Sequence, residues 1–288
     1  MTSKCWQITF HPNQEVDETF DEFLSNFFEV ISQNYNDNGP DEYIGYTGET
    51  FNEEQMLQSA SFFGIKLPPY DITELKSENW LKDYVIKFDA FEICDFCIYG
   101  VHEKSQPKTD KILLQIYAAT AFGSNHQTTQ SCIKAISELH DSGFIPAKIL
   151  DIGTGSGILS LCSAKLWSKA QIIAGDIDDE AVIVTNGNAK NNQLENQIKT
   201  YISDGYKHKS IQANAPYDLI LCNILANPLI AFAKDLSQNL RTNGFCILSG
   251  FVEDQVDDVI SVHEQQGLKL VKSYSLDNWR AALMQKVK

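Results

Sequence analysis

The second half of the chain alternates short apolar runs with amphipathic segments of helical period. Seven apolar runs are short enough to be strands, and most are separated by stretches in which apolar residues recur every three or four positions. Strands that alternate with helices form a largely parallel sheet with helices on both faces. We therefore expect an α/β domain from residue 118 onward, with strands at residues 149–151, 172–175, 200–203, 219–222, 245–249, 269–274 and 281–285.

The first hundred residues show a different pattern. Apolar and polar positions predict a strand, a helix, a strand, a helix and two alternating segments, at residues 5–10, 20–31, 41–47, 52–64, 83–88 and 91–99. This order predicts a small α+β domain, with an antiparallel sheet and helices on one face. The polar stretch that opens residues 101–117 predicts a linker that leads into a strand.

A glycine-rich turn follows the first strand of the second half. The sequence from Asp151 is DIGTGSG, which contains Gly153, Gly155 and Gly157. Glycine permits positive φ and lets a ligand approach the free N–H groups at a helix start. The spacing differs from the G-x-G-x-x-G of dinucleotide enzymes, and Asp151 would repel a pyrophosphate but attract an ammonium. The turn predicts a ligand with an amino-acid end; a purely structural βα turn is the alternative.

Polar residues also follow other predicted strands. Asp176 is placed to accept hydrogen bonds from both hydroxyls of a ribose, and Asp204 either accepts one from an adenine amino group or is a simple turn residue. The carboxyl ends of parallel strands meet at one edge, where ligands bind. An amino acid, a ribose and an adenine without phosphate describe S-adenosylmethionine. We therefore predict this cofactor, bound by Gly153, Gly155, Asp176 and Asp204.

Two further segments are expected at the same edge. Residues 121–130, AFGSNHQTTQ, place hydroxyl groups before a helix, where Thr129 is the expected ligand contact and His126 is either a cap or a catalytic group. In DLILCNILANPL, Asn223 ends an apolar strand, and its side-chain carbonyl can accept a hydrogen bond from an amine. The segment resembles the N-P-P-[YF] site of amino-methyltransferases without its aromatic residue, which favours a slender aliphatic amine over a stacked base.

The charge and the cysteine content limit the kinds of partner, compartment and metal site that the chain suits. The formal net charge is −15, and residues 1–100 hold 19 acidic residues against 5 lysines, or −14. Because acidic side chains repel phosphates, this excess argues against nucleic acid as the main substrate and suits a basic partner. The alternative is that the acidic residues serve only solubility. Seven scattered cysteines, no signal-peptide pattern and no membrane-length apolar run favour the cytoplasm. Cys94 and Cys97 form a C-x-x-C without a second pair, so we expect a strand there and no metal site.

In combination, the motifs resemble those of the ribosomal protein L11 methyltransferase family. AFGSNHQTT is similar to the family's A-F-G-T-G-x-H-x-T-T, and ILDIGTGSGILS, AGDIDDEAV and CNILANPL follow in the same order and spacing. Residues 79–95 resemble a W-x₃-[WY]-x₃-F-x-P segment more weakly, with Ala90 in place of the proline. The loop at residues 123–126 is one residue shorter than the family pattern.

The resemblance implies a class I methyltransferase, with a Rossmann-like fold, a mostly parallel seven-stranded sheet and an N-terminal ferredoxin-like domain. Residues 1–100 would recognise the substrate, residues 101–117 would be a linker, and residues 118–288 would bind S-adenosylmethionine. The family trimethylates the N-terminal α-amine and lysine ε-amines of ribosomal protein L11. By motif, the cofactor contacts fall on Thr129, Gly153, Asp176 and Asn223.

We therefore expect a monomeric, cytoplasmic protein amine methyltransferase whose catalytic residue, Asn223, orients the amine. Two alternatives remain. One is a methyltransferase that acts on another protein, a small molecule or a nucleic-acid amine. The other is a nonenzymatic partner protein that binds S-adenosylmethionine without transferring its methyl group.

Overall fold

The chain divides into two compact units, Met1–Tyr84 and Val85–Lys288. A computed structural model describes residues 4–13, 16, 18–28, 30–34, 42–47, 51–62, 64–76, 90–103, 105–117 and 126–287. The division therefore falls before residue 101, where the sequence predicts the linker to begin. Each unit has its own hydrophobic core and is described separately below.

The first unit is a four-stranded antiparallel sheet with two helices, in the order β1 (Lys4–Phe10), α1 (Glu18–Phe27), β2 (Val30–Asn34), β3 (Glu42–Thr47), α2 (Glu53–Phe62) and β4 (Tyr70–Lys76). The strands lie in the order β2-β3-β1-β4, and each neighbouring pair is antiparallel. A βαββαβ chain with this sheet is the ferredoxin-like arrangement. Ile8 and Phe10 of β1 pack against Phe20, Phe23 and Met56 of the helices.

Two strands of this unit, β2 and β4, are not predicted by the sequence pattern. Apolar residues keep helical spacing as far as Ile31, but the helix ends at Phe27, and Ile31 pairs with Gly45 of β3. The Phe28 ring packs directly over Gly45, where an added Cβ would lie 2.4 Å from it. The predicted extension of the helix to Ile31 is thus wrong. The predicted strand at residues 83–88 lies outside the described residues.

The second unit begins with a small sheet of β5 (Phe91–Ile93), β6 (Phe96–Gly100) and β7 (Ile112–Ile116). β5 and β6 form a hairpin, and β7 runs parallel to β6. Cys94 lies in the hairpin turn with a φ of 49°, and Cys97 is buried in β6. Within the described ranges, no group of three or more His, Cys, Asp or Glu side chains could hold a metal ion.

The larger sheet of the second unit has seven strands, and all seven predicted strands are confirmed. The elements are α3 (Gln127–Asp141), β8 (Lys148–Ile152), α4 (Ile158–Leu166), β9 (Gln171–Asp176), α5 (Asp179–Asn191), β10 (Ile198–Ile202), α6 (Lys209–Asn214), β11 (Tyr217–Asn223), α7 (Ala226–Asn239), β12 (Leu240–Val252), α8 (Val256–Gln265), β13 (Leu268–Leu276) and β14 (Trp279–Lys286).

The strand order in this sheet is β10-β9-β8-β11-β12-β14-β13. β14 is antiparallel to both of its neighbours, and the other neighbouring pairs are parallel. From β8 the chain proceeds outward to β10 and then returns to the other side of β8 as β11. The order therefore reverses between β8 and β11, and such a switch point is where open α/β sheets bind ligands.

Side chains of the central strands alternate between two cores. Leu219 and Leu221 of β11 belong to a cluster with Ile133 of α3, whereas Ile220 belongs to a second cluster with Leu229 of α7. Helices thus cover both faces of the sheet, as the alternation of strands and helices predicts. In the described part of the chain, no helix has the length and apolar character needed to cross a membrane.

A buried histidine lies beneath this sheet. His263 of α8 is 0% exposed, and its Nδ1 lies 2.7 Å from the Val259 carbonyl oxygen, so Nδ1 is the donor. Its Nε2 has no hydrogen-bond partner among the described residues. Burial lowers the pKa of His263 below the ordinary value of an imidazole.

This burial predicts a loss of stability in acid. Below about pH 6.5 the unfolded chain binds a proton at His263 before the folded chain does, so stability falls by up to about 1.4 kcal/mol per pH unit until the folded-state pKa is passed. The variant His263→Asn keeps a donor for Val259 but does not titrate. Urea unfolding at about pH 7 and about pH 5.5 should show a smaller loss for the variant than for the wild type. Equal losses of stability in the two proteins would contradict the assignment of this pH dependence to His263.

Candidate active site

The glycine turn between β8 and α4 is fixed by backbone hydrogen bonds. Gly153, Gly155 and Gly157 have φ values of 71°, 54° and 78°, which are in the left-handed region that glycine enters at little cost. The Gly153 N–H donates to the Gly175 carbonyl at 2.8 Å, and the Gly157 N–H donates to the Thr154 carbonyl at 2.8 Å. The positive φ expected for these glycines is present.

Asp151 lies inside the protein rather than at the ligand surface expected from the sequence. Its carboxylate is buried and accepts hydrogen bonds from the Thr154 and Ser160 hydroxyls at 3.0 Å and 2.6 Å, and from the Ser160 backbone. Burial raises the pKa of Asp151 to about 6. Because the N-cap of α4 is Gly157, which has no side chain, Asp151 caps this helix from the preceding strand. The predicted attraction of an ammonium by this carboxylate does not fit its burial.

Asp176 ends β9 and directly contacts the glycine turn. Its Oδ2 accepts a hydrogen bond from the Gly155 N–H at 2.9 Å, and its Oδ1 accepts one from the Asp178 N–H at 3.1 Å. Each carboxylate oxygen can accept a second hydrogen bond. The half-buried Asp176 is therefore oriented by the protein and can still accept hydrogen bonds from ligand hydroxyls.

Asp204 follows β10 on the neighbouring strand. Backbone bonding joins the two strand ends, because the Ser203 N–H donates to the Asp176 carbonyl at 2.6 Å. The Asp204 carboxylate is about half exposed and accepts a hydrogen bond from the Lys207 ammonium, which raises the pKa of Lys207. Asp204 is thus next to Asp176 along the edge of the sheet, but its carboxylate is already paired with the Lys207 ammonium.

Asn223 and Thr129 are in contact across the switch point. The Asn223 Nδ2 donates to the Thr129 Oγ1 at 3.3 Å, and Thr129 is buried in the first turn of α3. His126 is the N-cap of α3, because its Nδ1 accepts a hydrogen bond from the Thr128 N–H at 3.3 Å. Burial lowers the pKa of His126, and its ring packs edge-on against Trp279. Of the two roles expected for His126, the structure shows the cap. Residues 121–125 lie outside the described residues.

The sequence pattern does not identify Gly250, which fixes the position of Asn223 from the other side. Gly250 has a φ of 98°, and an added Cβ would lie 2.1 Å from the Ile224 carbonyl oxygen. A Cβ added to Gly153 would lie 2.2 Å from the Ile224 Cγ2. Ile224 is therefore enclosed by two glycines, and its N–H donates to the Ser249 carbonyl at 3.0 Å. Gly250 lies inside β12, where the pairing with β14 shifts register, and an isolated glycine in a strand pattern is the signal of a bulge or a close backbone approach.

The predicted site residues therefore lie along one edge of the sheet. Gly155, Asp176 and Ser203, the residue before Asp204, are joined in a row by hydrogen bonds. Asn223 is joined to the same turn through the packing of Ile224 on Gly153. A seven-stranded sheet of this order, with a glycine turn, an acid and an asparagine at successive strand ends, defines a class I methyltransferase.

Comparison with known proteins agrees with this class. The chain belongs to the ribosomal protein L11 methyltransferase (PrmA) family, whose model matches residues 4–287. The ribosomal protein L11 methyltransferase of Brucella abortus (strain S19) is 34% identical over 213 residues, which is 74% of each chain. That of Rhodopseudomonas palustris (strain BisB5) is 33% identical over 192 residues, 66% of this chain and 64% of the relative.

A solved structure supports the fold. The crystal structure of ribosomal protein L11 methylase from Lactobacillus delbrueckii subsp. bulgaricus superposes with a TM-score of 0.59 at 24% identity, covering 67% of this chain and 94% of that chain. Membership of a methyltransferase family implies S-adenosylmethionine as the methyl donor.

The enclosure of Ile224 predicts that Gly153→Ala destabilises the protein more than a glycine-to-alanine substitution at a positive-φ position with open space around it. Gly143 also has a positive φ, 84°, but nothing lies within 4 Å of an added Cβ, so Gly143→Ala reports the backbone cost alone, about 1–2 kcal/mol. Gly153→Ala should cost about 1–3 kcal/mol more, because Ile224 must move. It should also weaken binding of S-adenosylmethionine, measured by calorimetry, whereas Gly143→Ala should not. Unchanged binding by Gly153→Ala would contradict this packing.

Proposed function

We propose that the protein transfers methyl groups from S-adenosylmethionine to lysine ε-amines and the N-terminal α-amine of ribosomal protein L11. The observation that carries this proposal is the placement of Asn223 at the switch point, in contact with Thr129 and next to the glycine turn. The names of the Brucella and Rhodopseudomonas relatives support ribosomal protein L11 as the substrate.

The strand-end residues fit S-adenosylmethionine, which supplies a methyl group already activated on a sulfonium. The turn at Gly153 and Gly155 would hold the methionine part, and Thr129 would contact its carboxylate. Asp176 would accept hydrogen bonds from the ribose hydroxyls. Ile177, which is 72% exposed beside Asp176, offers apolar surface for the adenine. Asp204 would accept a hydrogen bond from the adenine amino group, in competition with Lys207.

Asn223 would orient the accepting amine. Its Nδ2 donates to Thr129, which leaves its Oδ1 as the acceptor for an amine N–H. The attacking amine must be neutral, and deprotonating a lysine with a pKa near 10.4 costs about 4.6 kcal/mol at neutral pH. Desolvation in the site lowers that cost. Because the methyl group is activated, positioning the lone pair behind it is the main task, and water can accept the proton.

We assign substrate recognition to residues 1–100 and the connection to residues 101–117. The acidic excess of −14 within residues 1–100 suits a basic ribosomal protein, because opposite charges increase the rate and specificity of association. The six cysteines whose side chains the structure describes are free thiols, which suits a reducing compartment. We place the reaction in the cytoplasm, with the enzyme as a monomer.

The proposal predicts the behaviour of Asn223→Ala. With purified ribosomal protein L11 and labelled S-adenosylmethionine, the variant should lose about 100-fold in kcat, because the amine is no longer held behind the methyl group. Its affinity for S-adenosylmethionine should change by less than about tenfold. Asn239→Ala, at the C-terminal end of α7, removes a half-buried asparagine whose side chain bonds the Asp235 carbonyl outside the site, and this variant should keep full activity.

The outcomes separate the candidate functions. Label on ribosomal protein L11, resolved by mass and lost in Asn223→Ala, supports the proposal. Label on a different ribosomal protein would retain the methyltransferase and change its substrate. Binding of S-adenosylmethionine without transfer to any acceptor would favour a nonenzymatic binding protein. Full turnover and unchanged affinity in Asn223→Ala would contradict the role of this residue.

A further inference from the structure

Two asparagines, one in α5 and one at its C-cap, pair with the backbone of β7 and the residue after it. The Asn188 Oδ1 accepts a hydrogen bond from the Tyr117 N–H at 2.7 Å, and its Nδ2 donates to the Tyr117 carbonyl at 3.0 Å. Asn192 repeats this pattern with Gln115, at 2.9 Å and 2.7 Å. Each side-chain amide thus replaces a neighbouring strand. Both residues are buried, with 0% and 7% exposure.

Asn188 also contacts the glycine turn. Its Nδ2 donates to the Ser156 carbonyl at 2.8 Å. One helical turn earlier, the fully buried Thr185 donates from its Oγ1 to the Gly155 carbonyl at 2.9 Å. Residues three apart lie on one helix face. The same face of α5 therefore binds two successive carbonyls of the turn, while Asp176 binds the Gly155 N–H.

These two bonds set the direction of the peptides in the turn. In a planar trans peptide, the C=O and the next N–H point in opposite directions. Because Thr185 binds the Gly155 carbonyl, the Ser156 N–H is directed away from α5. Because Asn188 binds the Ser156 carbonyl, the Gly157 N–H points back to the Thr154 carbonyl, to which it donates at 2.8 Å. The Gly155 and Ser156 carbonyl oxygens, the negative ends of two peptide dipoles, are thereby kept off the side of the turn opposite α5, where they would repel a ligand carboxylate.

We propose that Asn188 is a positioning residue for S-adenosylmethionine. It fixes the Ser156–Gly157 peptide so that the turn does not direct a carbonyl at the methionine carboxylate. The inference rests on the proposed function, since it requires that the turn hold this cofactor. Asn188 acts through the turn without contacting the reacting atoms, so its loss should reduce cofactor affinity rather than the rate at saturation.

Asn192 is a matched control for this role. It is the C-cap of the same helix, pairs with β7 through the same two bonds, and also uses its Nδ2 twice, donating to the Gln115 and Asn188 carbonyls. Among the described contacts, however, its side chain binds no residue of the glycine turn. If the asparagines only pair with β7 and Tyr117, substitutions at the two positions should change S-adenosylmethionine affinity equally. If Asn188 also positions the turn, the substitution of Asn188 should reduce this affinity more than that of Asn192.

The test compares Asn188→Asp with Asn192→Asp in the full-length protein. Each substitution preserves the shape of the side chain and the oxygen that accepts from the Tyr117 or Gln115 N–H. Each also removes the two hydrogen bonds that the asparagine Nδ2 donates. Calorimetry with S-adenosylmethionine should show affinity reduced about tenfold or more for Asn188→Asp, the equivalent of about 1.4 kcal/mol, and less than about threefold for Asn192→Asp. With ribosomal protein L11 and saturating S-adenosylmethionine, kcat should stay within about threefold of the wild type for both.

A second variant keeps the test decisive if Asn188→Asp does not fold. Thr185→Val removes the bond to the Gly155 carbonyl and a longer contact, 3.5 Å, with the Thr154 hydroxyl, both within the turn. It should also weaken S-adenosylmethionine binding, with kcat at saturation preserved. Wild-type affinity in the folded variants of Asn188 and Thr185, or equal weakening by Asn192→Asp, would overturn this inference alone. Failure of the wild type to bind S-adenosylmethionine would instead overturn the proposed function, and this inference with it.

Discussion

The hydrogen bond from the Gly155 N–H to the Asp176 carboxylate, 2.9 Å long, joins the two strand ends on which the site depends. It requires a backbone in the left-handed region at Gly155 and an acid at the end of the adjacent strand. The Ser203 N–H extends the row to β10 by bonding the Asp176 carbonyl. Three neighbouring strands thus present a continuous polar edge in which Asp176 is held by the backbone on both oxygens.

The other side of the switch point is positioned by packing. Ile224 fits between Gly153 and Gly250, so Asn223, the residue before it, has little freedom to move along the edge. The bond from Asn223 to Thr129 then orients its amide. Close packing of this kind does not adjust gradually, because an added methyl group must displace backbone atoms. Asn223 and the glycine turn are therefore fixed relative to each other.

Much of this arrangement can be predicted from the sequence. Strands buried on both faces, such as β8, β9 and β11, are continuous apolar runs and are recognised by their length and by the helical segments between them. The strand β2 is not, because Phe28 and Ile31 continue the helical spacing beyond the end of α1. Asp151 is recognised as important, but its burial is not visible in the sequence, and its role as a cap follows only from the structure.

Residues whose partners lie far away in the sequence are the hardest to identify from the sequence alone. Asn188 lies 71 positions from Tyr117 and 32 from Ser156 in the chain, and no local pattern joins them. The available signal is that Thr185, Asn188 and Asn192 place polar groups on one face of a helix that must pack on a sheet. Polar groups buried in this way need partners, so they indicate a constraint before the partner is known.

The most direct measurement is the affinity for S-adenosylmethionine of Asp176→Asn beside that of Asp204→Asn. Asp176 is fixed by the turn, and each of its carboxylate oxygens can accept a second hydrogen bond, which we assign to the ribose hydroxyls of the proposed cofactor. Asp176→Asn should therefore weaken binding by about ten- to a hundredfold. Asp204 is about half exposed and shared with Lys207, so Asp204→Asn should change binding by less than about threefold. Equal effects, or a larger effect at Asp204, would contradict a cofactor site centred on the link between Gly155 and Asp176.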